Sequence, residues 1–225
     1  MAGLKIHTAE TAYAVTQAEI KAWNKIDSSD DDTVVALIER AVHNWAKDFT
    51  NRSLTSITYQ LFIDTVDAID IPIQEGFYIG TDVYMNPRTI LLPRSPVSSV
   101  THVKYYDDND SATTFSSSKY YVDNVSVPAR IVLRQGETFP SSLRVANGIE
   151  IQYVAGYGAT TAVPYDIKSA CLEYSAYLFE HRGDLLDGKA VTAPYAATQL
   201  LQQYKIKSLS TNPYQGYARY GRIFG

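Results

Sequence analysis

Any chemistry in this chain would have to come from four histidines, one cysteine, a run of three aspartates and a few glycine-bearing turns. His7, His43, His102 and His181 each stand without a second histidine or cysteine at metal-ligand spacing, so no zinc site is expected. Asp30, Asp31 and Asp32 lack the alternating ligands, central glycine and closing glutamate of a calcium loop, and helix capping explains them better. Gly156-Tyr157-Gly158 follows a strand. It has neither the third glycine of a dinucleotide fingerprint nor the Gly-Lys-Ser/Thr of a phosphate loop, and reads as a tight turn. Ser116 to Ser118 has no glycine elbow, and Cys171, set among Ala170, Leu172 and Tyr174, reads as a small buried filler. No catalytic residue, cofactor or metal is expected, and the chain reads as non-enzymatic.

Binding chemistry is concentrated at the end of the chain. Thr211 to Gly225 reads TNPYQGYARYGRIFG, with Tyr214, Tyr217, Tyr220 and Phe224 interleaved with Arg219 and Arg222 and no acidic side chain. These are the residue types that dominate interface hot spots, and the glycines and proline leave them no local element in which to be buried. A docking arm is expected, against the alternatives of a strap packed on its own domain or a plain disordered terminus.

The elements that must carry this arm divide into blocks. Thr16 with Glu19 forms a candidate capping box for a short helix through Ile20 and Trp23, stopped by the turn residues Asn24 to Ser29. Ser29 and the acidic run Asp30 to Asp32 open a second helix to about Asn51. Its apolar stripe runs Val34, Ile38, Ala41, Trp45 and Phe49, widened by Val35, Val42 and Ala46, which makes Trp45 a core residue. From Leu54 to about Tyr157 the chain is rich in Thr, Val, Ile and Tyr and is broken by turn residues. Strands are expected at Tyr59 to Ile63, Val100 to Tyr106, Arg130 to Leu133 and Ile149 to Val154, with a fifth at Tyr120 to Val122 and a polar turn at Asp107 to Asp110. Asp67 to Thr89 is expected to be an insertion loop. Pro164 opens a helix with the stripe Ile167, Cys171, Tyr174 and Leu178, ending at His181 and Gly183. Leu185 to Val191 reads as a loop, and Pro194 starts a last helix toward Leu209. The fold class is therefore α+β: a helical core with an inserted antiparallel sheet and an extended tail. Its expected parts are residues 1–53 (helical), 54–158 (β-rich), 159–210 (helical) and 211–225 (docking arm).

Composition narrows the partners. A formal net charge of −4 is not that of a protein held to nucleic acid by phosphate contacts. The single cysteine excludes an intrachain disulfide and suits a reducing cytoplasm. No basic and apolar signal segment opens the chain and no apolar run could span a bilayer, so a soluble protein with no membrane partner is expected. Eighteen tyrosines against seven phenylalanines favour surfaces buried against other chains.

Several blocks resemble, in order, the head-tail connector (adaptor) proteins of tailed bacteriophages. They are TQAEIKAWNKIDSSDDD from Thr16 to Asp32, LIERAV from Leu37 to Val42, FTNR from Phe49 to Arg52, LPRSPVSSVTHVKYYD from Leu92 to Asp107, PARIVL from Pro128 to Leu133, and YVAGYG from Tyr153 to Gly158 leading into VPYDIK from Val163 to Lys168. The resemblance implies a structural protein of the virion neck, made in the host cytoplasm. It would form a ring, typically of twelve subunits, below the portal protein. In that family the C-terminal segment reaches the portal, which would give Tyr214, Tyr217, Arg219, Tyr220, Arg222 and Phe224 the docking role. The ring would offer a platform to a stopper or tail-completion protein, and DNA would pass through its channel without sequence-specific binding. Neither the 67–89 insertion nor the tail after Leu209 is covered by the matching blocks. A second reading is a β-sheet binding module for protein or carbohydrate, with Tyr105, Tyr106, Tyr120 and Tyr121 as its platform; adjacent residues on a strand face opposite sides, which splits that platform. A third, an enzyme without a recognisable motif, has nothing in the residues to recommend it.

Overall fold

The computed structural model describes residues 2–64, 88–181 and 193–206. Their order is β1 (Ala2–Thr8), α1 (Gln17–Asn24), α2 (Asp32–Thr50), β2 (Ile57–Ile63), β3 (Thr89–Leu92), β4 (Val97–Tyr106), β5 (Ala112–Thr114), β6 (Tyr120–Asp123), β7 (Ala129–Leu133), β8 (Ile149–Ala155), α3 (Tyr165–Glu180) and α4 (Tyr195–Gln202). This is a mixed α+β fold, with N-terminal helices, antiparallel sheets and C-terminal helices, as the sequence led us to expect.

The strands form two sheets instead of one. A five-stranded sheet has the order β1-β2-β8-β4-β5 and a three-stranded sheet the order β3-β7-β6, with every pairing antiparallel. Strict alternation along β2 sends Ile57, Tyr59, Leu61 and Ile63 inward, where they meet Ile149, Ile151, Tyr153 and Ala155 of β8 in one buried cluster. The small sheet closes that cluster from the other side with Ile90, Leu92, Ala129, Ile131 and Leu133. A second cluster lies among the helices, around Val35, Ile38, Val42, Ala46, Ile167, Ala170, Cys171 and Leu201.

The join between the two clusters is made of backbone. Gly156 has φ +121°, donates to Pro96 O at 2.8 Å, and sits so close to Thr55 that an added Cβ would lie 2.0 Å from its carbonyl oxygen. Only glycine fits there. The Gly156-Tyr157-Gly158 segment is thus the tight turn expected, with Ser56 N–H donating to Gly158 O at 3.0 Å.

Several helix details differ from expectation. The capping box at α1 is present in both directions, and Lys25 closes that helix in the left-handed region. The second helix starts at Asp32 with Asp31 as cap, three residues after Ser29. Its buried face is Val35, Ile38, Val42, His43 and Ala46; Ala41 is exposed, while Val34, Trp45 and Phe49 are half-buried on the flank. The stripe is rotated because α3 and α1 approach from the Val35 side, where small Ala46, Ala170 and Cys171 permit close contact. Pro164 caps α3 without being its first residue, and its buried positions are Ile167, Ala170, Cys171 and Ser175, with Tyr174 and Leu178 at the margin. The last helix is short and ends at Gln202. Strands β1, β3 and β5 had no strong sequence signal: β1 and β5 are largely exposed edge strands, and β3 begins at Thr89, inside the stretch read as a loop. Most of that stretch, the 185–191 loop and Gly183 lie outside the described residues.

Candidate functional site

Two polar clusters could in principle do chemistry, and each is occupied with structure. Among the helices, Ala14 N–H donates to Nδ1 of His43 at 3.0 Å, which fixes the neutral imidazole with its proton on Nε2. That nitrogen faces Glu10 Oε1 at 3.4 Å, and the same oxygen accepts from Lys47 Nζ at 2.7 Å. Burial, aided by the Lys47 charge and resisted by Glu10, lowers His43 from an ordinary 6.5 to about 4. Burial pushes Glu10 up, yet its hydrogen bonds and the Lys47 charge prevail and hold it below its ordinary value. Here α2 is tied to the segment that leads into α1; nothing in the geometry leaves a base facing an open cleft.

On the outer face of the large sheet, Glu150 accepts from Tyr106 OH at 2.6 Å and Gln60 Nε2 at 3.1 Å, and lies 3.0 Å from His102 Nε2. Burial pushes the carboxyl up, but the Tyr106 and His102 bonds and the His102 and Lys104 charges outweigh it and lower the Glu150 carboxyl. Burial alone pushes the Cys171 thiol up to about 12, so it is an inert filler at neutral pH. Ser116 caps the short 3₁₀ turn Ser117–Lys119. Among the described residues no group of three or more His, Cys, Asp or Glu side chains could hold a metal ion, and no helix is long and apolar enough to cross a membrane.

The aromatic platform of the binding-module reading is dispersed. Tyr105 packs inward against Phe115, and Tyr106 lies on the opposite face under the Arg144 guanidinium at 3.9 Å. Tyr120 is buried and Tyr121 exposed.

The expected docking residues Tyr214, Tyr217, Arg219, Tyr220, Arg222 and Phe224 lie outside the described residues. What is described is the root of that segment. Ile206 N–H donates to Thr50 O at 2.9 Å, Arg52 Nε donates to Tyr204 O at 2.5 Å, and Lys205 Nζ lies 5.0 Å from the Phe49 ring centre. Ile206, the last described residue, therefore lies against the C-terminal end of α2.

The β6–β7 hairpin projects beside the same end. Ala129, which opens its return strand, donates N–H to Ser95 Oγ at 2.8 Å; the neighbouring Arg94 accepts from Ser53 N–H through its carbonyl at 3.3 Å and reaches Asp48 at 3.6 Å. The tip carries Val125, 89% exposed, and Val127, also exposed. Asp123 holds it in shape: Oδ1 accepts from Val125 N–H at 3.2 Å and Ser126 N–H at 3.1 Å, while Oδ2 accepts from Ser126 Oγ at 2.7 Å and Arg130 Nε at 2.8 Å. Those donors, led by Ser126, hold the Asp123 carboxyl far below its ordinary value. At the opposite end of the hairpin from its tip, where Arg134 N–H donates to Lys119 O, the Arg134 guanidinium stacks on the exposed Tyr121 ring at 3.8 Å. Sequence reasoning expected both strands of this hairpin but passed over its tip, although Asp-Asn-Val-Ser-Val-Pro is a turn sequence bearing two valines with no strand to bury them.

No family model matches the chain, and no curated protein matches it either. Solved structures do. A chain in the virion of a native gene transfer agent (GTA) particle has a TM-score of 0.67 at 19% identity, covering 92% of this chain and 97% of that one. A chain in the neck of an empty GTA particle computed with C6 symmetry gives 0.68, and one in the neck of a native GTA particle computed with C12 symmetry gives 0.61, both at 19% identity and covering 92% of this chain and 98% of theirs. The chain has the fold of these chains over nearly its whole length.

Proposed function

We propose that this chain is a structural component of the neck of a phage-like particle, a non-enzymatic head-tail connector that forms a symmetric ring. The observation that carries this reading is end-to-end likeness of fold to chains from two particle necks, with 92% of this chain and 98% of theirs aligned. The connector-like sequence blocks point the same way. Twelve subunits sit below the portal protein, extend the channel through which DNA passes without sequence-specific binding, and present a platform to a stopper or tail-completion protein.

Residues 211–225 dock on the portal through Tyr214, Tyr217, Arg219, Tyr220, Arg222 and Phe224. A fifteen-residue segment can reach up to ~50 Å when extended, enough to pass from one ring into another. The last described residue before it, Ile206, donates to Thr50 O at 2.9 Å, at the C-terminal end of α2. The test is truncation after Ser210. The shortened chain is expected to keep its melting temperature and lose portal attachment, read by co-sedimentation with portal rings; unchanged attachment would refute the arm.

A further inference from the structure

Ring closure from identical subunits needs two different patches on each copy, facing each other head to tail. The described surface holds two that differ in sign and lie at opposite ends of α2. With 19 residues, that helix spans ~28 Å.

At its N-terminal end is the α1–α2 corner, where Asp27, Asp30, Asp31 and Asp32 outnumber Lys21 and Lys25. Exposed apolar side chains adjoin it in sequence, Trp23 at 49% and Leu37 at 63%. At the other end is the small sheet with its hairpin, where Val125, Val127 and Tyr121 are exposed. The outer rows of that sheet carry Arg130 and Arg134, and Lys119 lies alongside; Arg130 is paired with Asp123 at 2.8 Å and Lys119 with Glu137 at 3.0 Å, so the positive surplus rests on Arg134. Each patch combines exposed apolar side chains with charge, and their surplus charges are opposite.

We propose that the β6–β7 hairpin of one copy docks on the α1–α2 corner of the next, the Val125–Val127 tip meeting Trp23 and Leu37 while Arg134, at the other end of the hairpin, faces the Asp27–Asp32 run. The inference rests on the ring reading above and names the surfaces that close the ring. Two features favour a second copy as occupant. The charges complement one another within this chain, and such complementarity sets register and suppresses wrong partners. The tip is already held by the four Asp123 bonds, so little conformational freedom is lost on docking.

The test uses the full chain, alone at high concentration and with portal rings, counting copies per particle by native mass spectrometry. Val125→Asp, Asp30→Lys and Arg134→Glu all alter exposed side chains and should leave the melting temperature unchanged. Each is expected to weaken association between neighbours by about tenfold or more, and the chain carrying both Asp30→Lys and Arg134→Glu should recover most of the loss. Portal rings filled equally well by wild type and each single variant would keep the neck reading and overturn this contact. A wild-type chain that self-associates, with the charge-swap rescue, yet ignores the portal would keep the contact and remove the neck reading; a chain that does neither would overturn both. If Arg134→Glu weakens a lone subunit on a portal as much as a filled ring, the hairpin's partner is the portal and the contact falls. It falls too if Arg134→Glu abolishes binding of a duplex DNA probe while leaving assembly untouched.

Discussion

The sandwich core is filled by large side chains from alternate strand positions, among them Tyr59, Leu61, Ile131, Ile151 and Tyr153, whereas the helical core closes over Ala14, Ala46, Ala170, Ala197 and Cys171. The difference extends to polar atoms. In the sandwich, the buried tyrosine hydroxyls end on neutral partners: Tyr153 donates to Pro93 O at 3.1 Å, and Tyr59 shares a bond with Ser53 Oγ at 3.0 Å. In the helical layer the polar element is titratable, a fully buried histidine facing a Glu10 carboxylate that also holds Lys47. A strand pair can take bulk on both sides of its pleat. Helices that pack closely need small residues, and α2 adds a fully buried imidazole packed against Tyr13 and Ala14.

This contrast can be broken from the sandwich side. Tyr153 is fully buried and lies 5.8 Å, centroid to centroid, from the Tyr59 ring. Tyr153→Ala should destabilise the fold by about 4 kcal/mol, because it opens a cavity at the centre of the cluster and strips the Pro93 carbonyl of its donor. Urea unfolding should show that loss undiminished from pH 7 to pH 5, since no group at the site titrates in that range. A loss confined to acid would mean that the two cores are not separate in the way described.

The helical side has the opposite signature. His43 is neutral in the folded chain down to about pH 4, while in the unfolded chain it takes up a proton near its ordinary 6.5. Between those values the unfolded state binds more protons, so stability falls as pH falls, by about 3 kcal/mol over the whole window. The contribution is fully present above pH 6.5. Glu10 and Glu150, both held below the ordinary glutamate value, act in the same direction but only at lower pH. Urea midpoints measured between pH 7 and pH 5 should decline in the wild type. The decline should flatten in His43→Gln, whose amide oxygen can still accept from Ala14 N–H; an equal slope in both chains would remove His43 as its source.

The same contrast decides what was readable in the sequence. Central strands were legible because alternation such as Ile57-Thr58-Tyr59-Gln60-Leu61 reports burial on one face directly. Edge strands were not: β1 and β5 bury little, and backbone pairing leaves no mark on residue type. Helix existence, the Thr16–Glu19 box and the Gly156 turn came from local rules that the fold obeys. Which side of α2 faces inward did not, because Val34 and Val35, or Ala41 and Val42, are equally apolar, and only the approach of α1 and α3 chooses between them. Expectations about binding looked for aromatic and arginine density and settled on the tail. The described fold offers in addition two exposed valines on a tethered hairpin, a signal that lies in what the neighbouring strands fail to cover.

Trp45 tests that rotation of α2. With the expected stripe, it would be a core residue whose loss costs about 3 to 5 kcal/mol. In the structure it is half-buried, packed between Tyr174 at 4.7 Å and Phe49 at 5.9 Å on the flank of the helix. Part of the indole is thus already in contact with water, and Trp45→Ala should cost about 2 kcal/mol in the isolated chain. Chemical denaturation of the monomer separates the two figures. A cost near 4 would turn α2 back toward the Val34–Ala41 face and bring the Trp45 side into the core. It would also carry Leu37, four positions from Ala41, away from the exposed surface on which the head-to-tail contact depends, so this small substitution bears on the geometry of the ring as well as on the packing of one helix.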